Sequence, residues 1–268
     1  MINFPIVDTH LHLWNPSYLR YPWLDEIPLL NQPYLLADYN RHCGSVQVKK
    51  MVFLQCEVDF AQFREEAAWV NSLADQEPRL AGMVPWAPLE LGDKARPDLE
   101  QFAQNPRIKG VRRIIQFEPD LEFCLRPDFV RGVQALADYG LSFDICISHI
   151  QLANTIKLVA QCPNVSFILD HIGKPDIKNH ELDPWRVELR ELAAFPNVWC
   201  KVSGLVTEAD HQRWTAADLK PYIDHVIDSF GFDRVLYGGD WPVAYQATDY
   251  PRWVETLEWA VSGCSEAE

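Results

Sequence analysis

What most limits the fold of this 268-residue chain is a repeated alternation of short apolar runs with longer amphipathic ones. Short apolar runs bounded by turn residues make strands buried on both faces, and the amphipathic stretches between them make helices that cover such a sheet. Eight strands are predicted, at about residues 6–14, 50–56, 80–89, 108–115, 141–148, 165–170, 198–204 and 235–239. Helices are predicted at 65–76, 98–104, 128–139, 154–162, 185–194, 216–230 and 250–261, where apolar residues recur three and four apart. Residues 15–44, rich in Pro, Tyr, Trp and Leu, follow neither period and read as a long loop after the first strand. The alternation runs without a break in composition or a Ser/Gly-rich linker. It therefore predicts one α/β domain over residues 1–268, a (β/α)8 TIM barrel and not an open doubly wound sheet. Neither a GxGxxG nor a P-loop is present to support the open sheet.

Charge and composition remove several function classes. A formal charge of −14 argues against nucleic acid as a partner, because binding to phosphates is driven by Lys and Arg. No apolar run approaches the roughly 20 residues of a membrane span. The start, Met1 to Asp8, has no basic segment followed by a long apolar one, so no secretory leader is expected and the expected location is cytoplasmic. Seven scattered cysteines without a CxxC pair form neither a disulfide scaffold nor a cysteine zinc site. Cys56, Cys146 and Cys200 lie in strand-like runs and are expected to be small buried hydrophobes.

Side chains two apart on a strand share a face, so His10 and His12 should point together into the barrel mouth. His171 follows the sixth strand and Asp240 the eighth, at the end where a barrel keeps its reactive groups. Each has an ordinary reading. The two histidines could be hydrogen-bonded core residues, His171 a helix cap and Asp240 a turn residue before Pro242. Four polar groups on one rim favour a catalytic reading over four coincidences.

Several stretches carry a resemblance. They are Asp8-Thr9-His10-Leu11-His12-Leu13-Trp14, Tyr21-Pro22-Trp23-Leu24, Gly110-Val111-Arg112-Arg113, Asp170-His171-Ile172-Gly173-Lys174-Pro175, Trp199 to Asp210, and Gly239-Asp240-Trp241-Pro242. Together they resemble the amidohydrolase superfamily and, within it, the sugar-lactone hydrolases similar to L-fuconolactonase and L-rhamnonolactonase. The resemblance implies an amidohydrolase-like barrel that opens an aldonolactone, such as L-fucono- or L-rhamnono-lactone, to the sugar acid. It also implies Asp240 as the base that activates water. His171, His10 and His12 would then polarise the carbonyl, by direct hydrogen bonds or through a metal; the sequence leaves that choice open. A binuclear centre would need a bridging Lys or Glu and a strand-five His. The fourth strand instead offers Arg112, and the fifth only His149, one residue beyond its end. The expectation is no obligatory cofactor, with one zinc ion on His10, His12 and Asp240 as the chemically reasonable metal site.

The expected partner is a small neutral lactone, which needs hydrogen-bonding groups and an aromatic wall. Candidate contacts are Gln55, Glu57, Trp86, Arg112, Gln116, His149 and Lys201, with Trp14 and Trp23 packing the first loop over the mouth. Lys174 is expected to answer a neighbouring Asp. Trp69, Trp185, Trp253 and Trp259 are expected between barrel and helices. The alternative is an amidohydrolase acting on a carboxylated lactone of the pyrone or muconolactone type, or a metal-dependent decarboxylase. Such substrates call for clustered arginines, but Arg112 and Arg113 are adjacent and must face opposite ways. A non-catalytic binding barrel would have no use for the base and histidines together.

Overall fold

The computed structural model describes residues 4–265, so Met1 to Asn3 of the stretch read for a leader lies outside the described residues. Among the described residues the strands are β1 (Ile6–Leu11), β2 (Val48–Leu54), β3 (Leu80–Val84), β4 (Gly110–Arg112), β5 (Ser142–Ile145), β6 (Phe167–Leu169), β7 (Val198–Val202) and β8 (Val235–Tyr237). All ladders are parallel, in two runs, β1-β2-β3 and β4 through β8. Bridges between Met83 and Ile108 and between Trp86 and Arg112 join β3 to β4. The other seam pairs Leu11 with Trp241; there Trp241 O accepts from His12 N and His10 O accepts from Asp240 N, each at 2.8 Å. The ring is thereby closed as a TIM barrel, and the second seam runs through the residues of the rim.

Several strands end earlier than their apolar runs. The run at 6–14 pairs only to Leu11 and that at 80–89 only to Val84, although Leu13, Trp14, Trp86 and Leu89 are still buried. Burial beneath the rim keeps the sequence apolar after the ladder has stopped, so an apolar run overstates strand length.

The helices are α1 (Leu36–His42), α2 (Phe63–Ala74), α3 (Arg96–Ala103), α4 (Pro127–Ala135), α5 (Leu152–Gln161), α6 (Trp185–Ala193), α7 (Ala216–Phe230) and α8 (Tyr250–Ala260). Helix α1 corrects the reading of residues 15–44 as a helix-free loop. It has only seven residues, too few for the helical period to show, and it starts where Asp38 Oδ2 accepts from the Leu35 amide at 3.0 Å. The remainder of that segment packs on Trp14. The Trp14 indole donates to the carbonyls of Leu30 (3.1 Å) and Gln32 (3.0 Å), and its ring meets Trp23 and Tyr34 edge-on.

Trp185 and Trp253 are buried and Trp69 is half-buried, but Trp259 is 47% exposed. Six residues at about 100° each turn Trp259 some 120° away from the face on which Trp253 is buried. Cys56, Cys146 and Cys200 are buried free thiols. No helix among the described residues is long and apolar enough to cross a membrane.

Candidate active site

His10 lies on β1 and His12 one step beyond it, and their Nε2 atoms stand 3.1 Å apart. Asp240 Oδ1 is 3.7 Å from His10 Nε2, 3.5 Å from His12 Nε2 and 3.9 Å from His171 Nε2. All four residues are buried. The backbone is bent to achieve this convergence: His171, Ile172 and Lys174 have φ of 54°, 52° and 50°, and Asp240 has 52°. Left-handed conformations cost non-glycine residues energy, and they persist where the surroundings over-determine them. Gly204 (φ 64°) lies directly behind, where a Cβ would come within 2.4 Å of His171 Nδ1 and 3.0 Å of Asp240 Oδ2.

Hydrogen-bond partners fix which ring nitrogens carry protons. His12 Nδ1 is 2.9 Å from Leu54 O; a carbonyl only accepts, so Nδ1 donates and Nε2 of the neutral ring presents its lone pair. Arg112 Nη1 is 3.2 Å from His10 Nε2; a guanidinium only donates, so this nitrogen too presents a lone pair. The proton of His10 is then on Nδ1, 3.4 Å from the Asp170 carboxylate. Burial holds His10 well below the ordinary imidazole range and pushes His171 down to about 4, so both rings are neutral at neutral pH. Two lone pairs facing each other at 3.1 Å repel unless a cation, a proton or a metal ion, lies against both.

The same donors pass a metal test. Bond lengths of about 2.0–2.1 Å to zinc give tetrahedral ligand–ligand edges of about 3.3 Å. The donor separations among His10, His12 and Asp240 are 3.1, 3.5 and 3.7 Å, and these three residues form a group able to hold an ion. Burial opposes the charge on Asp240, but the imidazoles, His171 foremost, outweigh it and hold the carboxyl well below the usual carboxylate range.

The site opens on a cavity of about 540 Å³. Trp14, Trp23 and Ile27 line one part, and Glu57, Gln116, Ser148 and Gln246 supply polar groups. Arg112 also lines it. Four expected contacts are elsewhere. Lys201 is buried on β7 in ion pairs with Asp144 (2.5 Å) and Asp170 (3.0 Å). Trp86 packs against Phe60 and Phe63. Gln55 is fully buried, its amide donating to Glu57 Oε1 and its carbonyl accepting from Arg112. His149 Nδ1 lies 3.0 Å from Lys174 O and braces the turn after His171 instead of facing the cavity. Lys174 pairs with Glu208, not with an Asp, at 3.5 Å across the cavity wall. Arg113 faces away, as strand alternation requires, paired with Glu90 and Glu118.

The family model described as Amidohydrolase matches residues 7–268. The chain belongs to the amidohydrolase family. It is 33% identical over 276 aligned positions to the L-fucono-1,5-lactonase of Burkholderia multivorans, covering 98% of this chain and 90% of that one. A crystal structure of an amidohydrolase from Burkholderia multivorans with bound zinc matches with a TM-score of 0.87 at 30% identity, covering 98% and 94% of the two chains. The 4-sulfomuconolactone hydrolase of Rhizobium radiobacter is 23% identical, over 88% of this chain and 75% of that one. Like its named relatives, this amidohydrolase is a hydrolase of ester bonds.

Three supporting groups of this amidohydrolase were not predicted from sequence. Ser203 Oγ is 2.9 Å from His171 Nδ1. Asp170 is shared between Arg112 (3.0 Å) and Lys201 (3.0 Å), whose charges overcome its burial and hold its carboxyl well below the usual range. Asp8 accepts from the amides of His10 (3.0 Å) and Gly239 (2.8 Å) and from the hydroxyls of Tyr39 and Tyr250, both at 2.8 Å. A signal for one of these, Asp170, was present: Asp144 and Lys201 interrupt apolar strands, and a charge inside a barrel strand requires partners across the lumen.

Proposed function

We propose that the protein opens a neutral sugar lactone to its hydroxy acid, with Asp240 as the base. The supporting observation is the meeting of the Asp240 carboxylate with three imidazole edges, at 3.5 to 3.9 Å, beside a cavity walled by Trp14 and Trp23. That the relative from Burkholderia multivorans is named an L-fucono-1,5-lactonase agrees with this reading. The cavity carries the carboxylates of Glu57 and Glu208, and Lys174 is already paired with Glu208. A dicarboxylate or pyrone acid would meet two negative groups while Arg112 is already paired with Asp170, whereas hydroxyls find acceptors and donors.

Water positioned by Asp240 attacks the lactone carbonyl carbon, its proton passing to the carboxylate. The negative charge that develops on the carbonyl oxygen is met by His171 Nε2–H, in the tautomer in which Ser203 donates to Nδ1, and by Arg112. Collapse breaks the ring C–O bond, and the proton on Asp240 is returned to the departing ring oxygen. In their neutral tautomers His10 and His12 offer lone pairs to the site, so they serve by holding a cation and not by donating to the oxyanion. A zinc ion held by His10, His12 and Asp240 would supply Lewis-acid polarisation of the carbonyl.

A panel of aldonolactones followed with a pH indicator tests the reading. Proton release well above the spontaneous rate is expected with at least one 1,5- or 1,4-lactone. Background rates across the panel would overturn it.

A further inference from the structure

A cation is already built against one imidazole of the pair, that of His10. Arg112, at the end of β4, lines the cavity yet is only 2% exposed. Three bonds orient it: Nη1 lies 3.0 Å from Asp170 Oδ2 and 3.2 Å from His10 Nε2, and Nη2 donates to Gln55 O at 2.5 Å. The bond to His10 occupies the lone pair through which an imidazole ligates zinc. A divalent ion on that nitrogen would also stand beside a permanent positive charge in a dry setting, where charges of like sign repel strongly.

We propose that Arg112 is the resident cation of this site, competing with a divalent metal for His10 Nε2 and thereby keeping the metal affinity of His10, His12 and Asp240 low. The charge balance beneath the site favours the same role. Arg112 and Lys201 offset Asp144 and Asp170, which are linked to them by the ion pairs described. Removing the guanidinium leaves that group one negative charge in excess, next to three metal donors. Neutral His10, held by Asp170 on one side and Arg112 on the other, then presents a free Nε2. Arg112 is therefore a residue that sets how far the site depends on a metal, a property separate from which lactone it opens.

Zinc affinity is measured by competition with a chromophoric chelator near neutral pH, so the readout does not depend on turnover. Arg112→Gln is expected to bind zinc at least tenfold more tightly than the wild type. Arg112→Lys, which keeps a positive charge, should stay within about threefold of it. Adding His12→Ala to Arg112→Gln should abolish the gain and so locate the ion at the triad. Unchanged or weaker binding in folded Arg112→Gln would overturn the proposal, as would an equal gain in Arg112→Lys. Should Arg112→Gln fail to fold, a crystal structure of zinc-loaded wild-type protein decides. With zinc on His10 Nε2, Arg112 Nη1 should be out of hydrogen-bonding reach of that atom; a retained contact refutes competition.

Discussion

The Gly239 amide donates to Asp8 Oδ1 at 2.8 Å, tying the loop that carries Asp240 to the first strand. The same carboxylate holds the His10 amide, so one buried group positions both Asp240 and the first imidazole. Tyr39 and Tyr250 complete its shell. Gly239 fits because a Cβ there would come within 2.6 Å of Asp8 Oδ2.

Replacing Asp8 therefore acts on both stability and rate. Asp8→Ala is expected to cost on the order of 3 kcal/mol in urea unfolding, since buried bonds to a charged acceptor are the stronger kind. Asp8→Asn, which keeps the shape, should fold and lower kcat more than tenfold with KM little changed. A KM effect alone would show that the loop carrying Asp240 had not moved.

Asp240→Asn removes the proposed proton acceptor without altering volume. Lactonase kcat is expected to fall by about 10²–10³, in the range for general-base removal, with an unchanged circular dichroism spectrum. A variant retaining a tenth of the wild-type rate would exclude Asp240 as the base.

Gly204→Ala places a methyl group against His171 and Asp240, at a residue whose φ of 64° disfavours any side chain. Thermal melting should shift downwards by a few degrees and kcat should fall at least tenfold. Ser203→Ala, which releases only the Nδ1 side of His171, should lower kcat less while leaving the melting temperature near that of the wild type. If Ser203→Ala proved as damaging to rate as Gly204→Ala, crowding of Asp240 would not be the cause.

Glu66 on α2 predicts a stability profile with pH. It is buried, its carboxyl is pushed up to about 8 by desolvation, and its bonds from the Cys56 amide are long, 3.2 and 3.4 Å. In the unfolded chain it ionises near 4.5. A folded-state value above the unfolded one means that its contribution is fully present below about pH 4.5 and is lost as pH rises towards 8. Glu66→Gln should be no less stable than the wild type at pH 8 and should gain on it by a few kcal/mol between pH 5 and 8, as read from urea midpoints. Parallel profiles would show that Glu66 is ionised when folded.

Much of the site was legible because barrel architecture converts strand ends into neighbours. Two residues apart on β1 meant one face, so His10 and His12 had to converge, and the ends of β6 and β8 brought His171 and Asp240 to the same rim. The chain alternation determined the barrel for the same reason: only parallel strands under helices bury such runs. Only the tertiary structure decided which polar residues face the cavity. Lys201 and Gln55 have the composition of ligand contacts, yet each is turned to partners more than 30 residues away or to its own strand end, which no local pattern encodes. It also decided the proton positions on the imidazoles. Those depend on Leu54 O and Arg112 Nη1, atoms that reach His12 and His10 only when the barrel closes, and they favour cation holding among the two roles that the sequence left open for these histidines.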